Sequence, residues 1–331
     1  MTIEKNKPED VKKVYFIGIG GIGMSALARY FAGKGTGVFG YDKTETPLTK
    51  KLVNEGMEIH YVDDPEKIPL DIDLVVYTPA IPSDHKELNF LREKDFRLYK
   101  RSEILGWITN SYRSIAVAGT HGKTTTSTLI AYLLRAGGVD CTAFLGGIAV
   151  DFEGNFVAGK SDWIVAEADE YDRSFLQLTP EIAVVLSMDA DHLDIYGEDK
   201  ELKKTFCDFA DQTKPEGRVV FREGLPLEVK KEMSTMTYGL ERGDAKATHI
   251  RVDEGYFVFD YSSSTEEING IKMTLSGRHN IENATAAITV ALELGIKPAE
   301  IKKALARFKG IKRRFEIVFR DEHLVYIDDY A

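Results

Sequence analysis

The stretch SIAVAGTHGKTTT, Ser114 to Thr126, decides the fold of the region around it. Ser114–Ala118 is an apolar run of strand length, and the residues beyond Lys123 carry a helical pattern to near Arg135. A strand, a glycine-containing loop and a helix start together form a phosphate cradle, because backbone N–H groups at a helix N-terminus point at an anion and the helix dipole favours negative charge. In this setting Lys123 reaches the outer phosphates of a nucleotide and the Thr124 hydroxyl is placed to ligate Mg2+. The usual P-loop spacing would put a glycine at position 117, which is Val117, so the motif is the shortened form GxxGK[ST]. Gly119, Thr120, His121, Gly122, Lys123, Thr124 and Thr125 are the expected ATP contacts.

Bulk properties limit the alternatives. The chain has 331 residues, enough for two or three domains of the common size of about 100 to 200 residues. It is 43% hydrophobic and 29% charged, an ordinary globular composition. A net charge of −10 argues against a general nucleic-acid binder, which needs spread basic surface. No run approaches the roughly 18 apolar residues of a membrane span, and MTIEKNKPED lacks the basic-then-apolar order of a signal peptide. These features predict a cytoplasmic protein. Cys141 and Cys207 have no CxxC or CxxH partner and read as small core side chains.

A second anion cradle opens the chain. The strand-like Val11–Ile17 leads into GIGGIG, Gly18 to Gly23, then a helical stretch from Met24 to Ala32. Gly18, Gly20 and Gly23 fit GxGxxG, and Asp42 closes the next strand at about the distance where a carboxylate takes a ribose hydroxyl. The pattern specifies a diphosphate on a helix N-terminus, for which NAD and UDP-sugars are equally eligible. Ile72–Tyr77 reads as another buried parallel strand.

Beyond the central cradle, Trp163–Glu167 runs into an acidic patch, Asp169 to Asp172, and Ile182–Ser187 runs into Asp189, His192 and Asp194. Carboxylates at strand C-terminal ends can hold Mg2+, and His192 is either a ligand or a structural residue. Arg218–Phe221 and Lys272–Leu275 read as further strands. His279, Asn280 and Asn283 surround the start of a helix running to Leu294. The two amides share a face and can hydrogen-bond an adenine edge, or simply cap the helix. The last apolar run, from His323 to the end, reads as a buried parallel strand, the first element of a further domain. The expected fold class is α/β: a Rossmann-like domain over 1–107, a P-loop-type α/β ATPase domain over 108–315, and 316–331 opening a truncated third domain.

The chain resembles the Mur ligase family. The resemblance is carried by GIGGIGMS, GTHGKTTT, EADEYDRSFL at Glu167–Leu176, DADHLD at Asp189–Asp194, GRHNIENATAA at Gly277–Ala287, RRFE at Arg313–Glu316 and the closing IDDYA. It implies an ATP- and Mg2+-dependent ligase that joins L-alanine to the lactyl carboxylate of UDP-N-acetylmuramate in peptidoglycan synthesis, through an acyl phosphate. It further implies that Gly18, Gly20, Gly21, Gly23, Met24, Ser25 and Asp42 serve the UDP-sugar. Lys123, Glu167 and His192 would be catalytic, with Thr124, Glu167 and His192 as metal ligands. His279, Asn280 and Asn283 would face the adenine, and Arg314 and Asp329 the phosphates and ribose. The amino-acid domain of the family would follow IDDYA, so a chain ending there is expected to be inactive alone. A recycling ligase that attaches a peptide to the same sugar acid, an NAD-dependent oxidoreductase and a nucleotide-sugar-binding module remain the alternatives.

Overall fold

The computed structural model describes residues 7–189, 196, 199–321 and 323–329. The chain divides into two compact units, Met1–Ser111 and Tyr112–Ala331.

In the first unit β1 (Lys13–Ile17), β2 (Gly37–Tyr41), β3 (Glu58–His60), β4 (Leu74–Tyr77) and β5 (Leu98–Lys100) form one parallel sheet in the order β3-β2-β1-β4-β5. Val14 to Ile17 and Leu74 to Val76 are buried, as continuous apolar strands covered on both faces must be. Helices α1 (Ile22–Gly33), α2 (Pro47–Asn54) and α3 (Lys86–Glu93) make crossovers between these strands, and α4 (Arg101–Asn110) follows the last of them. Helix α4 runs past residue 107, so the division between units falls after it.

A polar knot ties this sheet to α3. The Tyr15 hydroxyl donates to Glu87 Oε2 at 2.6 Å and lies 2.9 Å from His60 Nε2. Asp63 accepts the amides of Lys86 and Glu87 at the start of α3, at 2.9 and 3.0 Å. Glu87 is fully buried, and that burial pushes its carboxyl from 4.5 up to about 7.

In the second unit β6 (Arg113–Ala118) leads through the Gly119–Gly122 loop into α5 (Lys123–Ala136). Then follow β7 (Thr142–Ala149), β8 (Gly154–Val157), β9 (Trp163–Ala168), β10 (Ile182–Val185), α6 (Asp199–Asp211) and β11 (Arg218–Arg222). After these come β12 (Ser234–Leu240), β13 (Ala245–Asp253), β14 (Tyr256–Ser262), β15 (Glu267–Met273), α7 (Arg278–Glu293) and α8 (Pro298–Leu305). The ten strands form one sheet, ordered β15-β14-β13-β12-β11-β10-β6-β9-β7-β8. From β13 through β7 each neighbouring pair is parallel, whereas β8, β14 and β15 are antiparallel edges.

The core of this unit is built from α5 and α7 against the sheet. Leu129, Ile130, Leu133 and Leu134 of α5 and Ile281, Ile288 and Val290 of α7 are fully buried. Ala284, Ala287 and Ala291 keep α7 slim where it meets α5, so the two backbones come close. Burying each large aliphatic side chain contributes roughly 1.5–3 kcal/mol, so this two-helix layer fixes the position of the loop that precedes α5.

The expected buried parallel strand near residue 323 takes another form. β16 (Glu316–Arg320) and β17 (Val325–Asp328) make a two-stranded antiparallel hairpin, with Val325 and Tyr326 47% and 58% exposed. The physical reason is local: Asp321 Oδ1 accepts the amides of His323 and Leu324, both at 2.7 Å, and closes a tight turn onto the strand just upstream.

Glu87 gives a pH signature. Its proton is held in the folded state between about pH 4.5 and about pH 7, so the stability it contributes is full below that window and is lost as pH rises through it. Relative to Glu87→Gln, which keeps the shape without titrating, the wild-type melting temperature should therefore fall across that window. A difference that stays constant across it contradicts the assignment.

Candidate active site

The central cradle owes its geometry to three strands. β6 pairs in parallel with β9 on one side and β10 on the other, with Ala118 opposite Ala168 and opposite Val185. All three strands end on the same edge of the sheet. The residues that follow them, Gly119–Lys123, Asp169–Tyr171 and Leu186–Asp189, converge there although the latter two lie about 45 to 70 positions after the first in sequence.

The loop itself is held open by backbone shape. Gly122 lies at φ 83°, where L side chains are strained, and a Cβ on it would sit 2.6 Å from Asn283 Oδ1. Ser187 fastens the loop from the β10 side: its Oγ accepts the His121 amide at 2.9 Å and lies 2.8 Å from Thr120 Oγ1. Lys123 opens α5, and its Nζ donates to Gly119 O at 2.7 Å and to both carboxylate oxygens of Glu170, at 2.9 and 2.8 Å.

Glu167 lies beside the loop threonine. Thr124 Oγ1 and Ser127 Oγ each donate to its carboxylate at 3.3 Å, and the Gly146 amide donates to it at 2.5 Å. Burial pushes this carboxyl up, against the pull of those donors and the Lys123 charge. A hydroxyl and a carboxylate side by side form a hard-oxygen pair that suits Mg2+, and a cation there would relieve the cost of keeping the carboxylate ionised. His192, the third expected ligand, lies outside the described residues, as does Asp194.

These elements form one wall of a cleft of about 560 Å3. Thr120, His121, Gly122, Lys123, Thr124 and Thr125 line it, together with His279, Asn280, Asn283, Arg314 and Asp329, so residues gathered from four sequence motifs share one cavity. The roles inside it differ. Asn280 is buried and donates its amide to Ser276 O at 2.7 Å while accepting from Asn283 at 3.3 Å, whereas the helix is capped by Gly277 with no side-chain cap bond, so the amides do not cap it. Asn283 packs against Gly122 of the loop. Asp329 Oδ1 accepts the Phe315 amide at 3.0 Å and ties the end of β17 to the residue before β16.

Sequence reasoning missed several lining residues, among them Ser187, Arg222, Tyr238 and Glu282. No motif marks Arg222 and Tyr238, which reach the cleft because β11 and β12 extend the parallel sheet. Ser187 could have been found, since it stands at a strand end beside Asp189. Gly146 and Glu170 were missed as partners of Glu167 and Lys123.

The N-terminal cradle is a separate structure in the first unit. Gly18 lies at φ 87°, and its amide and that of Ile19 both donate to Tyr41 O, at 2.8 and 3.0 Å. Asp42 Oδ2 accepts the Gly20 amide at 2.7 Å, so this carboxylate shapes the glycine loop itself. Gly21 caps α1 and accepts the Ser25 amide at 2.8 Å. Met24 and Ser25 are buried, and a Cβ on Gly23 would lie 2.9 Å from the Arg101 side chain.

Known proteins share both units. Residues 13–113 match the Mur ligase family, catalytic domain, and residues 117–291 match the Mur ligase middle domain. The chain is 47% identical over 328 residues to a UDP-N-acetylmuramate–L-alanine ligase of Christiangramia forsetii, an alignment covering 97% of this chain and 71% of that relative. A crystal structure of a UDP-N-acetylmuramate–alanine ligase from Thermotoga maritima superposes with a TM-score of 0.85 at 30% identity, over 96% of this chain and 74% of that one. A murein peptide ligase from Psychrobacter arcticus has the same fold, with a TM-score of 0.80 at 23% identity over 97% and 73% of the two chains. With the family matches falling on the two observed units and a relative 47% identical over 97% of this chain, this chain belongs to the Mur ligase family.

Proposed function

We propose that the chain carries the nucleotide- and sugar-binding parts of an ATP-dependent ligase that joins L-alanine to the lactyl carboxylate of UDP-N-acetylmuramate in peptidoglycan synthesis. The observation that carries this reading is the Lys123 loop with Thr124 and Glu167 in hydrogen-bond contact beside it, in a chain 47% identical to a ligase of that name. The wider identity to the L-alanine ligase than to the murein peptide ligase favours a single amino acid over a peptide. Family membership also favours a UDP-sugar over NAD at Gly18, Gly20, Gly21, Gly23 and Asp42. Among the described residues no helix is long and apolar enough to cross a membrane. We place the reaction in the cytoplasm, where ATP and UDP-sugars are made.

The chemistry follows from the groups available. A carboxylate oxygen of the sugar acid attacks the γ-phosphorus of ATP, ADP departs, and an acyl phosphate forms. The L-alanine amine then adds to the acyl carbon, and the tetrahedral intermediate collapses with loss of phosphate and a proton. Lys123 spreads the charge that develops on the transferred phosphoryl group, and the loop amides fix its direction. Thr124 and Glu167 would hold Mg2+, which when bound offsets phosphate charge. His279, Arg314 and Asp329 would complete the nucleotide pocket.

Two substitutions test this, made in a chain as long as the relatives it matches. Lys123→Ala should lower kcat roughly 10²- to 10³-fold, the scale of losing one preorganised charge donor, while UDP-N-acetylmuramate binding by calorimetry stays at the wild-type value. Collapse of sugar binding in that variant contradicts the division of labour. Glu167→Gln should raise the Mg2+ concentration for half-maximal phosphate release by at least about tenfold. An unchanged Mg2+ dependence removes Glu167 from the ligand set.

A further inference from the structure

The Lys123 ammonium is fully engaged by partners within the protein. All three N–H donors of Lys123 have partners: Gly119 O and the two carboxylate oxygens of Glu170. The Glu170 side chain is only 1% exposed and Lys123 is 18% exposed, so this is an ion pair largely withdrawn from water. Such a pair is held far more firmly than a surface one, because either charge left alone would be buried without compensation.

The segment bearing Glu170 is shaped for the contact. Two residues on, Asp172 and Arg173 adopt φ of 51° and 54°, a backbone shape that non-glycine residues rarely take, and two such residues in succession are seldom kept unless the surroundings enforce them. The enforcing contacts are visible. The Glu170 carbonyl accepts the Arg173 amide at 3.0 Å and the Tyr196 hydroxyl, and the Arg173 guanidinium lies 5.6 Å from the Tyr196 ring. Phe175, stacked on Phe209 with centroids 5.0 Å apart, anchors the far end of the turn in α6.

We propose that Glu170 is a positioning residue that latches Lys123 beside the phosphate loop and competes with nucleotide phosphate for it. A phosphate oxygen entering the loop takes Lys123 Nζ from the carboxylate, so part of the binding free energy is spent on opening the pair. The latch keeps the lysine extended and the loop in shape while no nucleotide is present. It also weakens ADP and ATP through the same exchange, but not adenosine, which brings no phosphate to Lys123. The inference rests on the reading of Gly119–Thr126 as an ATP loop and adds a partner to it.

The test is calorimetric titration of wild type and variants with ATP, ADP and adenosine. Glu170→Gln should tighten ATP and ADP by about tenfold, leave adenosine unchanged, and lower the melting temperature of the nucleotide-free protein. The gain should vanish when the same substitution is made in a Lys123→Met background. Unchanged or weaker ATP binding in Glu170→Gln, an equal gain for adenosine, or a gain that survives without Lys123 each overturns the latch. If the glutamine variant does not fold, Glu170→Asp withdraws the charge by one methylene: partial tightening of ATP supports the latch, and wild-type affinity overturns it. Failure of wild type to bind ATP at all overturns the underlying nucleotide reading, which separates that failure from failure of the latch alone.

Discussion

The parallel pairing of β6 between β9 and β10 is the constraint on which the rest of the second unit depends. Parallel strands all end on one edge, so whatever follows them is delivered to one place. Reversing either neighbour would carry Glu167 and Glu170, or Ser187 and Asp189, to the opposite edge of the sheet and leave the loop without partners. The register is in turn held by α5 and α7, whose buried leucines, isoleucines and alanines hold the loop and the Asn283 helix against each other.

Charge sets the second theme. The cleft is rich in carboxylates, with Asp189, Glu282 and Asp329 on its wall and Glu167 and Glu170 behind the loop, in a chain whose net charge is −10. A triphosphate brought into such a place meets repulsion unless cations mediate, which is the physical logic of a lysine and a divalent ion acting together.

The first unit solves a similar problem with less charge. Its glycine loop is tied by Asp42 and by the Tyr41 carbonyl, and the Arg101 side chain lies beside Gly23 at the start of α1. The knot of Tyr15, His60, Asp63 and Glu87 fastens α3 to the same sheet, with Asp63 accepting α3 amides that an apolar contact would leave unsatisfied.

Much of this was legible in the sequence. The two cradles were, because their chemistry is local: a strand, a few glycines and a helix start lie within about a dozen residues and need no distant partner to be recognised. The central parallel strands were legible too, since burial on both faces leaves a continuous apolar run such as Ile182–Val185. The hairpins of β13 to β15 were not, because each strand is half exposed and mixes polar with apolar residues. The chain end misled for the opposite reason: Leu324–Ile327 is apolar enough to suggest burial, yet it pairs antiparallel with the strand beside it and stays exposed. By itself the sequence marked two glycine-bearing strand–loop–helix segments and the residues that form them. Only the tertiary structure decided what those residues touch: that Lys123 rests on Glu170, that Asn280 turns to Ser276 while Asn283 packs on Gly122, and that Arg222 and Tyr238 join the cleft. Those pairings depend on strand order across the sheet, and strand order is set by packing between segments far apart in the chain, which no local pattern encodes.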